Sequence, residues 1–295
     1  MNRPERLPKI SVVIPSYRPG KVLFHCLNAV MHQNLKLSYE VIVVDSSPKD
    51  IGNEIRALYP NVQVVHLRRR TLPGKARSIG ASMAKGEVIF FTDTDCIVEK
   101  DWLKNLWEGH QAGYLVVGGS VLNGTPTSIV GTAEYLLEFV DINPWLKPGE
   151  VKALPTCNLS VNRKIFDEVG FFPDLLKGED TLFCEKVTSH GEKIYYQPYA
   201  KITHRNRVGF VHFLKNQMAL GEGSHETRRR IRQHGHFLME YPVLIPFIPV
   251  YRTLRIGTVW LRSKFKLFIY FLLLYPLILL GIVAHTWGFV RGLRQ

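Results

Sequence analysis

Four short apolar runs, separated by stretches of helical spacing, constrain this chain more than any other feature. Residues 10–14 (ISVVI) stop at Pro15, residues 41–44 (VIVV) stop at Asp45, residues 62–67 follow, and residues 88–92 (VIFFT) stop at Asp93. Between them, residues 21–33, 50–58 and 75–84 repeat their apolar positions at the period of a helix. Apolar runs this short and this rich in β-branched residues are buried strands. Their alternation with helices predicts an α/β fold, a mixed but mainly parallel sheet flanked by helices. Ligands of such sheets bind beyond the carboxyl ends of the strands. Ser16, Asp45 and Asp93 all fall there, aimed at one crevice. No GxGxxG follows the first strand and no GxxxxGK[ST] occurs, which excludes the dinucleotide fingerprint and the P-loop.

The crevice carries its own chemistry. In Asp93-Thr94-Asp95 two carboxylates stand close enough to repel unless a cation joins them. Hard oxygen ligands select Mg²⁺ or Mn²⁺, which also bind phosphate oxygens. Arg68, Arg69, Arg70, Lys75 and Arg77 surround a Pro-Gly helix start just upstream, a setting that suits a diphosphate. Arg77, inside the helix start, is the best placed, whereas the three consecutive arginines read equally well as a solvated loop. Gly178-Glu179-Asp180 precedes a second helical pattern, and His204 follows the strand-like residues 200–203. Each also has a plain structural reading: acidic residues suit helix starts electrostatically, and a lone histidine is commonly a surface or core residue.

The end of the chain differs from its body. The formal net charge is +13, and +11 of it lies from Arg205 onward. A nearly neutral body argues against a nucleic-acid binder, whose basic footprint should cross the folded surface. Residues 267–290 hold no formally charged side chain over 24 positions, long enough to cross a bilayer core of about 30 Å. A buried core helix is the competing reading, and Pro276 predicts a kink or a re-entrant shape. Arg262, Lys264 and Lys266 precede the run, which sets the rest of the chain on the cytoplasmic side of a plasma membrane. Residues 237–260 are apolar but broken by prolines, Arg252 and Arg255, as in an interfacial segment with its arginines among anionic headgroups. The first fifteen residues lack an apolar leader, and Cys26, Cys96, Cys157 and Cys184 form no CxxC pair, so a secreted disulfide scaffold is not expected.

Seven stretches, in order, resemble the family 2 inverting glycosyltransferases of the GT-A fold. They are SVVIPSYRPG (11–20), VIVVDSS (41–47), LPGKARSIGASMAKGEVIFFTDTDC (72–96) with DWL (101–103), TCNLSVNRKIFDEVGFF (156–172), KGEDTLFCEKV (177–187) and YYQPYAKITH (195–204). ALGEGSH (219–225) is similar to a segment that follows the core in bacterial members. The resemblance implies roles. Pro15, Ser16 and Tyr17 would line the nucleotide pocket, and Asp45 would hydrogen-bond the base, typically uracil. Arg77 would lie near base or diphosphate. Asp93 and Thr94 would sit on the donor side, and Asp95 would hold a divalent metal, Mn²⁺ or Mg²⁺, with His204 approaching it. Asp180 would be the catalytic base, with Glu179 and Asn158 in the acceptor pocket. The second-strand motif departs from the family pattern, running on as Ser46-Ser47-Pro48, and no QxxRW motif of the processive members follows Gln217.

These readings predict a GT-A domain over 1–225, a basic interfacial segment over 226–264, and a transmembrane or re-entrant helix over 265–295. The expected activity is transfer of one sugar from a nucleotide sugar, a UDP-sugar first, to a lipid-linked or glycan acceptor. A membrane is the expected partner and nucleic acid is not. A sugar nucleotidyltransferase would need neither Asp180 nor the apolar tail, and a non-catalytic nucleotide-sugar binder would need neither acidic triplet.

Overall fold

A computed structural model describes residues 7–231 and 236–294. The expectations for the first residues of the N-terminus (1–6) and for residues 232–235 of the basic segment lie outside the described residues. The first half follows the sequence closely. β1 (Ile10–Ser16), α1 (Val22–Met31), β2 (Tyr39–Asp45), α2 (Gly52–Leu58), β3 (Val62–His66), α3 (Pro73–Met83) and β4 (Val88–Thr92) alternate as expected. β3, β2, β1 and β4 lie side by side and parallel, and β1, β2 and β4 are buried along most of their length because helices cover both faces.

The second half departs from a mainly parallel sheet. β5 (Cys96–Val98), α4 (Trp102–Gln111), β6 (Val116–Asn123), α5 (Ile129–Glu138), β7 (Gly149–Val151), β8 (Asn158–Asn162), α6 (Arg163–Val169), α7 (Glu179–Ser189) and β9 (Ile194–His204) complete it. The strand order is β3-β2-β1-β4-β8-β6-β9-β5, with β7 also on β9. β8 runs antiparallel to both β4 and β6, and β9 is antiparallel to β5 and β7. Of the eight strand pairings among the described residues, four are antiparallel. β8 enters between β4 and β6 from a loop and not from a crossover helix, and it runs back along its neighbours.

The C-terminal third is helical: α8 (Phe210–Arg230), α9 (Phe237–Glu240), α10 (Ile248–Ser263), α11 (Phe265–Leu273) and α12 (Tyr275–Gly292). α8 runs through residues 225–226, so the expected domain boundary falls inside a continuous helix. α12 lies along α8 at backbone contact. A Cβ on Gly221 would stand 2.0 Å from the His285 carbonyl oxygen, and one on Gly288 would stand 2.0 Å from that of Met218. α10 is fastened to α5, with the buried Trp260 donating its Nε1–H to the Leu136 carbonyl at 2.9 Å. No single described helix is long and apolar enough to cross a membrane; α11 and α12 together are, by length and composition, but they meet at an 80° bend. Pro276 explains the break: lacking an N–H, it fits the first turn of a new helix and not the middle of a continuous one.

Gly221→Ala should lower the melting temperature of the detergent-solubilised protein. Alanine's better helix propensity is worth about 1 kcal/mol, but overpacking at a backbone contact costs about 1–3 kcal/mol. Gly149→Ala, whose Cβ meets open space, should leave it unchanged. Equal melting of the two variants would contradict the α8–α12 contact.

Candidate active site

The carboxyl ends of the strands and the start of α7 open on one cavity of about 570 Å³. Asp93 and Asp95 reach it from the turn after β4, Arg77 from α3, Glu179 and Asp180 from α7, and His204 from the last position of β9. The sheet register sets one of these pairs. Cys96 lies opposite His204, and the Arg205 N–H donates to the Asp95 carbonyl at 2.8 Å. His204 Nε2 and Asp95 Oδ2 are then 3.7 Å apart.

The arrangement fits a divalent cation. His204 Nδ1 is 2.9 Å from Asn206 Oδ1, and the Asn206 amide nitrogen donates to Asn123 Oδ1 and Thr125 Oγ1. With its oxygen thus facing the ring, Asn206 accepts from Nδ1–H, which leaves the Nε2 lone pair facing Asp95. A hydrogen bond to the far ring nitrogen orients metal-ligating histidines in this way. Cys96 Sγ completes the cluster, but its soft sulfur is a poor match for a hard cation such as Mg²⁺ or Mn²⁺. A carboxylate and an imidazole leave room for phosphate oxygens, as Mg²⁺ and Mn²⁺ sites do.

Arg77 is the electrostatic centre. Buried in α3, it donates from Nη2 to Asp93 Oδ1 at 2.5 Å and from Nη1 to Glu179 Oε1 at 3.0 Å. Burial works against its charge, but Asp93 and Glu179 outweigh that and hold it protonated. Burial and the neighbouring Asp180 push the Glu179 carboxyl up to about 7, with Arg77 opposing. Asp180 Oδ1 accepts the Thr181 N–H at 2.7 Å, and Oδ2 has no hydrogen-bond partner among the described residues. Gly178, at φ +88°, makes the turn into α7; a Cβ there would meet Thr227 of α8 at 2.5 Å.

The other expected residues lie apart. Asp45 is buried in a polar knot, accepting from Ser16 Oγ at 2.7 Å, Ser47 Oγ at 2.8 Å and the Ser47 N–H at 3.1 Å, with His66 Nδ1 at 3.3 Å. Pro15, Ser16, Tyr17, Asp45 and Thr94 do not line the cavity. Tyr17 is partly exposed, with the Arg70 guanidinium 4.9 Å from its ring centre, so this arginine is not simply solvated. Asn158 is not an acceptor-pocket residue here. It is fully buried, accepts from Trp102 Nε1 at 2.7 Å and donates to the Ser120 and Ala200 carbonyls at 2.9 and 2.8 Å. Its amide joins α4, β6 and β9, which leaves it nothing to offer a ligand.

The cavity also holds residues that the sequence reading placed elsewhere. Glu138 accepts from Asn216 at 2.6 Å and Gln217 at 2.8 Å, and burial together with Glu134 pushes its carboxyl up to about 7. Glu134 and Glu138 stand i,i+4 in an otherwise apolar helix, a signal open to reading. Arg228 lines the same cavity, and so do Arg252 and Arg255, which were expected among headgroups. Their i,i+3 spacing on α10 put Arg252 and Arg255 on one face, but only the tertiary fold shows which face is inward.

Glu138 binds its proton more tightly folded than unfolded, since its ordinary value is 4.5 and its folded value about 7. Its proton-linked contribution is therefore complete below about pH 4.5 and lost as pH rises through 7. Glu138→Gln removes this dependence. The melting temperature of the variant should gain on that of the parent between pH 5 and pH 8; a constant difference would contradict the buried, raised carboxyl.

Three comparisons bear on the chain. Residues 11–170 match the model of Glycosyl transferase family 2. The chain is 28% identical over 253 residues to glycosyltransferase AglE of Haloferax volcanii, covering 82% of each protein. It is 33% identical over 180 residues to glycosyltransferase GlyG of Streptococcus pneumoniae, covering 55% of this chain and 59% of that one. Of the poly(ribitol-phosphate) β-N-acetylglucosaminyltransferase TarS of Staphylococcus aureus it covers 33%, at 27% identity. The fold is shared with a crystal structure of GalNAc-T7 holding UDP, GalNAc and Mn²⁺, at a TM-score of 0.55 and 20% identity, over 70% of this chain and 45% of that one.

Proposed function

The chain belongs to glycosyl transferase family 2 and is a glycosyltransferase, and we propose that it moves one sugar from a UDP-sugar to a hydroxyl of a lipid-linked or glycan acceptor, with inversion. One observation carries this reading. A single cavity joins the metal-fitting Asp95–His204 pair, the Arg77 clamp and the unpartnered Asp180 oxygen. The UDP and Mn²⁺ in the GalNAc-T7 structure support the same donor class and a divalent metal here.

Asp95 and His204 would hold the cation, which when bound neutralises charge developing on the leaving nucleoside diphosphate. Asp93 is kept in place by Arg77 on the donor side. An acceptor hydroxyl is far too weak an acid to attack unaided, so a positioned base must take its proton. Asp180 Oδ2 is the free oxygen for that step, and the Thr181 N–H fixes the carboxylate's orientation. Attack opposite the leaving group inverts the anomeric centre in one displacement. The basic residues around 262–266 and the bent α11–α12 pair support a catalytic domain held on the cytoplasmic face of a plasma membrane.

Asp180→Asn should retain donor binding and lose transfer by about 10²–10⁴-fold, the usual weight of a general base. Transfer within a few-fold of the parent would remove Asp180 from the mechanism. In a panel of UDP-, GDP- and dTDP-sugars, turnover should appear with Mn²⁺ or Mg²⁺ and vanish with chelator. Asp95→Ala should bind UDP equally with and without metal. Full chelator-resistant turnover would contradict the metal reading.

A further inference from the structure

The part of the cavity wall contributed by α8 and α10 carries three arginines, and two of them, Arg228 and Arg252, keep a buried nitrogen without a hydrogen-bond partner. Arg228 donates from Nη1 to the Ser224 carbonyl at 2.9 Å and to the Ser224 hydroxyl, and its Nε is buried without a hydrogen-bond partner. Arg255 pairs with both oxygens of Asp141 at 2.5 Å. Arg252 has no described hydrogen bond or ion pair, and its Nη1 is buried and unsatisfied. Burial, with Arg255 and Arg228 nearby, lowers its pKa to about 10, and Glu138 and Asp141 only partly offset this. A buried guanidinium facing its own kind costs stability and is retained where a ligand supplies the missing charge. Planar guanidinium forks match phosphate oxygens in pairs.

The surroundings identify what carries the phosphate. The segment that holds Arg252 and Arg255 exposes large apolar side chains, among them Val243, Phe247, Leu254, Phe265 and Leu273. The cation-fitting pair that serves the donor diphosphate is built instead from the strand ends, at Asp95 and His204. We propose that Arg228, Arg252 and Arg255 form a phosphate subsite for the acceptor, and that this phosphate belongs to a lipid whose chain stays on the apolar face of 237–287. Asp180 shares the cavity, so an acceptor anchored by its phosphate brings its reacting end to the base. The inference rests on the reading of this crevice as a glycosyl-transfer centre and names its acceptor class.

The test needs no turnover. Binding of a short-chain polyprenyl phosphate, the matching neutral polyprenol, ribitol 5-phosphate and inorganic phosphate would be measured by calorimetry on the full chain in detergent. UDP with Mn²⁺ would be titrated separately. The expected result is binding of the polyprenyl phosphate well above the alcohol and both soluble phosphates. Arg252→Gln should weaken it by roughly 10–100-fold and leave UDP affinity unchanged. Arg252→Gln should also melt no lower than the parent, because it removes a repelled buried charge, whereas a structural arginine would cost stability on removal. Arg228→Gln is the second variant and should weaken the same ligand. Equal binding of alcohol and phosphate, or intact binding in both variants, would overturn the subsite. Soluble phosphates binding as tightly as the lipid would overturn the lipid assignment. Loss of UDP affinity in Arg252→Gln would give the cluster to the donor. Failure of UDP to bind the parent at all would sink the glycosyl-transfer reading without touching the phosphate result.

Discussion

The clamp made by Arg77 on Asp93 and Glu179 is the interaction on which the rest of the site depends. It ties α3 and the end of β4 to the start of α7, Arg77 and Glu179 standing 102 residues apart in sequence. One guanidinium satisfies two acidic groups in a buried place, where an unpaired charge would cost several kcal/mol. Through it, the carboxylates after β4 and Asp180 beside Glu179 share one frame. The frame extends outward: Gly178 seats α7 against α8, and α8 meets α12 at backbone contact. The acidic triplet is therefore mechanically continuous with the apolar tail.

Much of the first half was legible in the sequence because it is written in short apolar runs. β1 to β4 begin and end within a few residues of the expected positions, and of the polar residues at their carboxyl ends Asp93 lines the cavity, whereas Ser16 and Asp45 do not. The second half was less legible for a physical reason. Antiparallel pairing of β8 and β5 depends on tertiary register, and no local pattern distinguishes it from a parallel strand. Asn158 shows the same limit. It stands beside cavity-lining residues in sequence, but its amide is consumed by three neighbours that only the folded sheet assembles.

The tail illustrates a competition between local and long-range terms. Residues 267–290 carry the composition of a bilayer span, and Pro276 divides them. Glycines then let α12 lie directly on α8, so one side of the apolar run is spent on the protein while Leu273, Leu280 and Trp287 stay exposed. α10, fastened to α5 through Trp260, carries Arg252 and Arg255 in the cavity wall, where the sequence alone had them among headgroups.

The Asp95–His204 pair should mark the place of the donor diphosphate. The most direct test is anomalous diffraction from crystals grown with UDP and Mn²⁺. One manganese peak is expected at about 2.0–2.3 Å from both Asp95 and His204 Nε2, with diphosphate oxygens completing its shell. A peak elsewhere, or nucleotide bound with no metal between these two side chains, would contradict it.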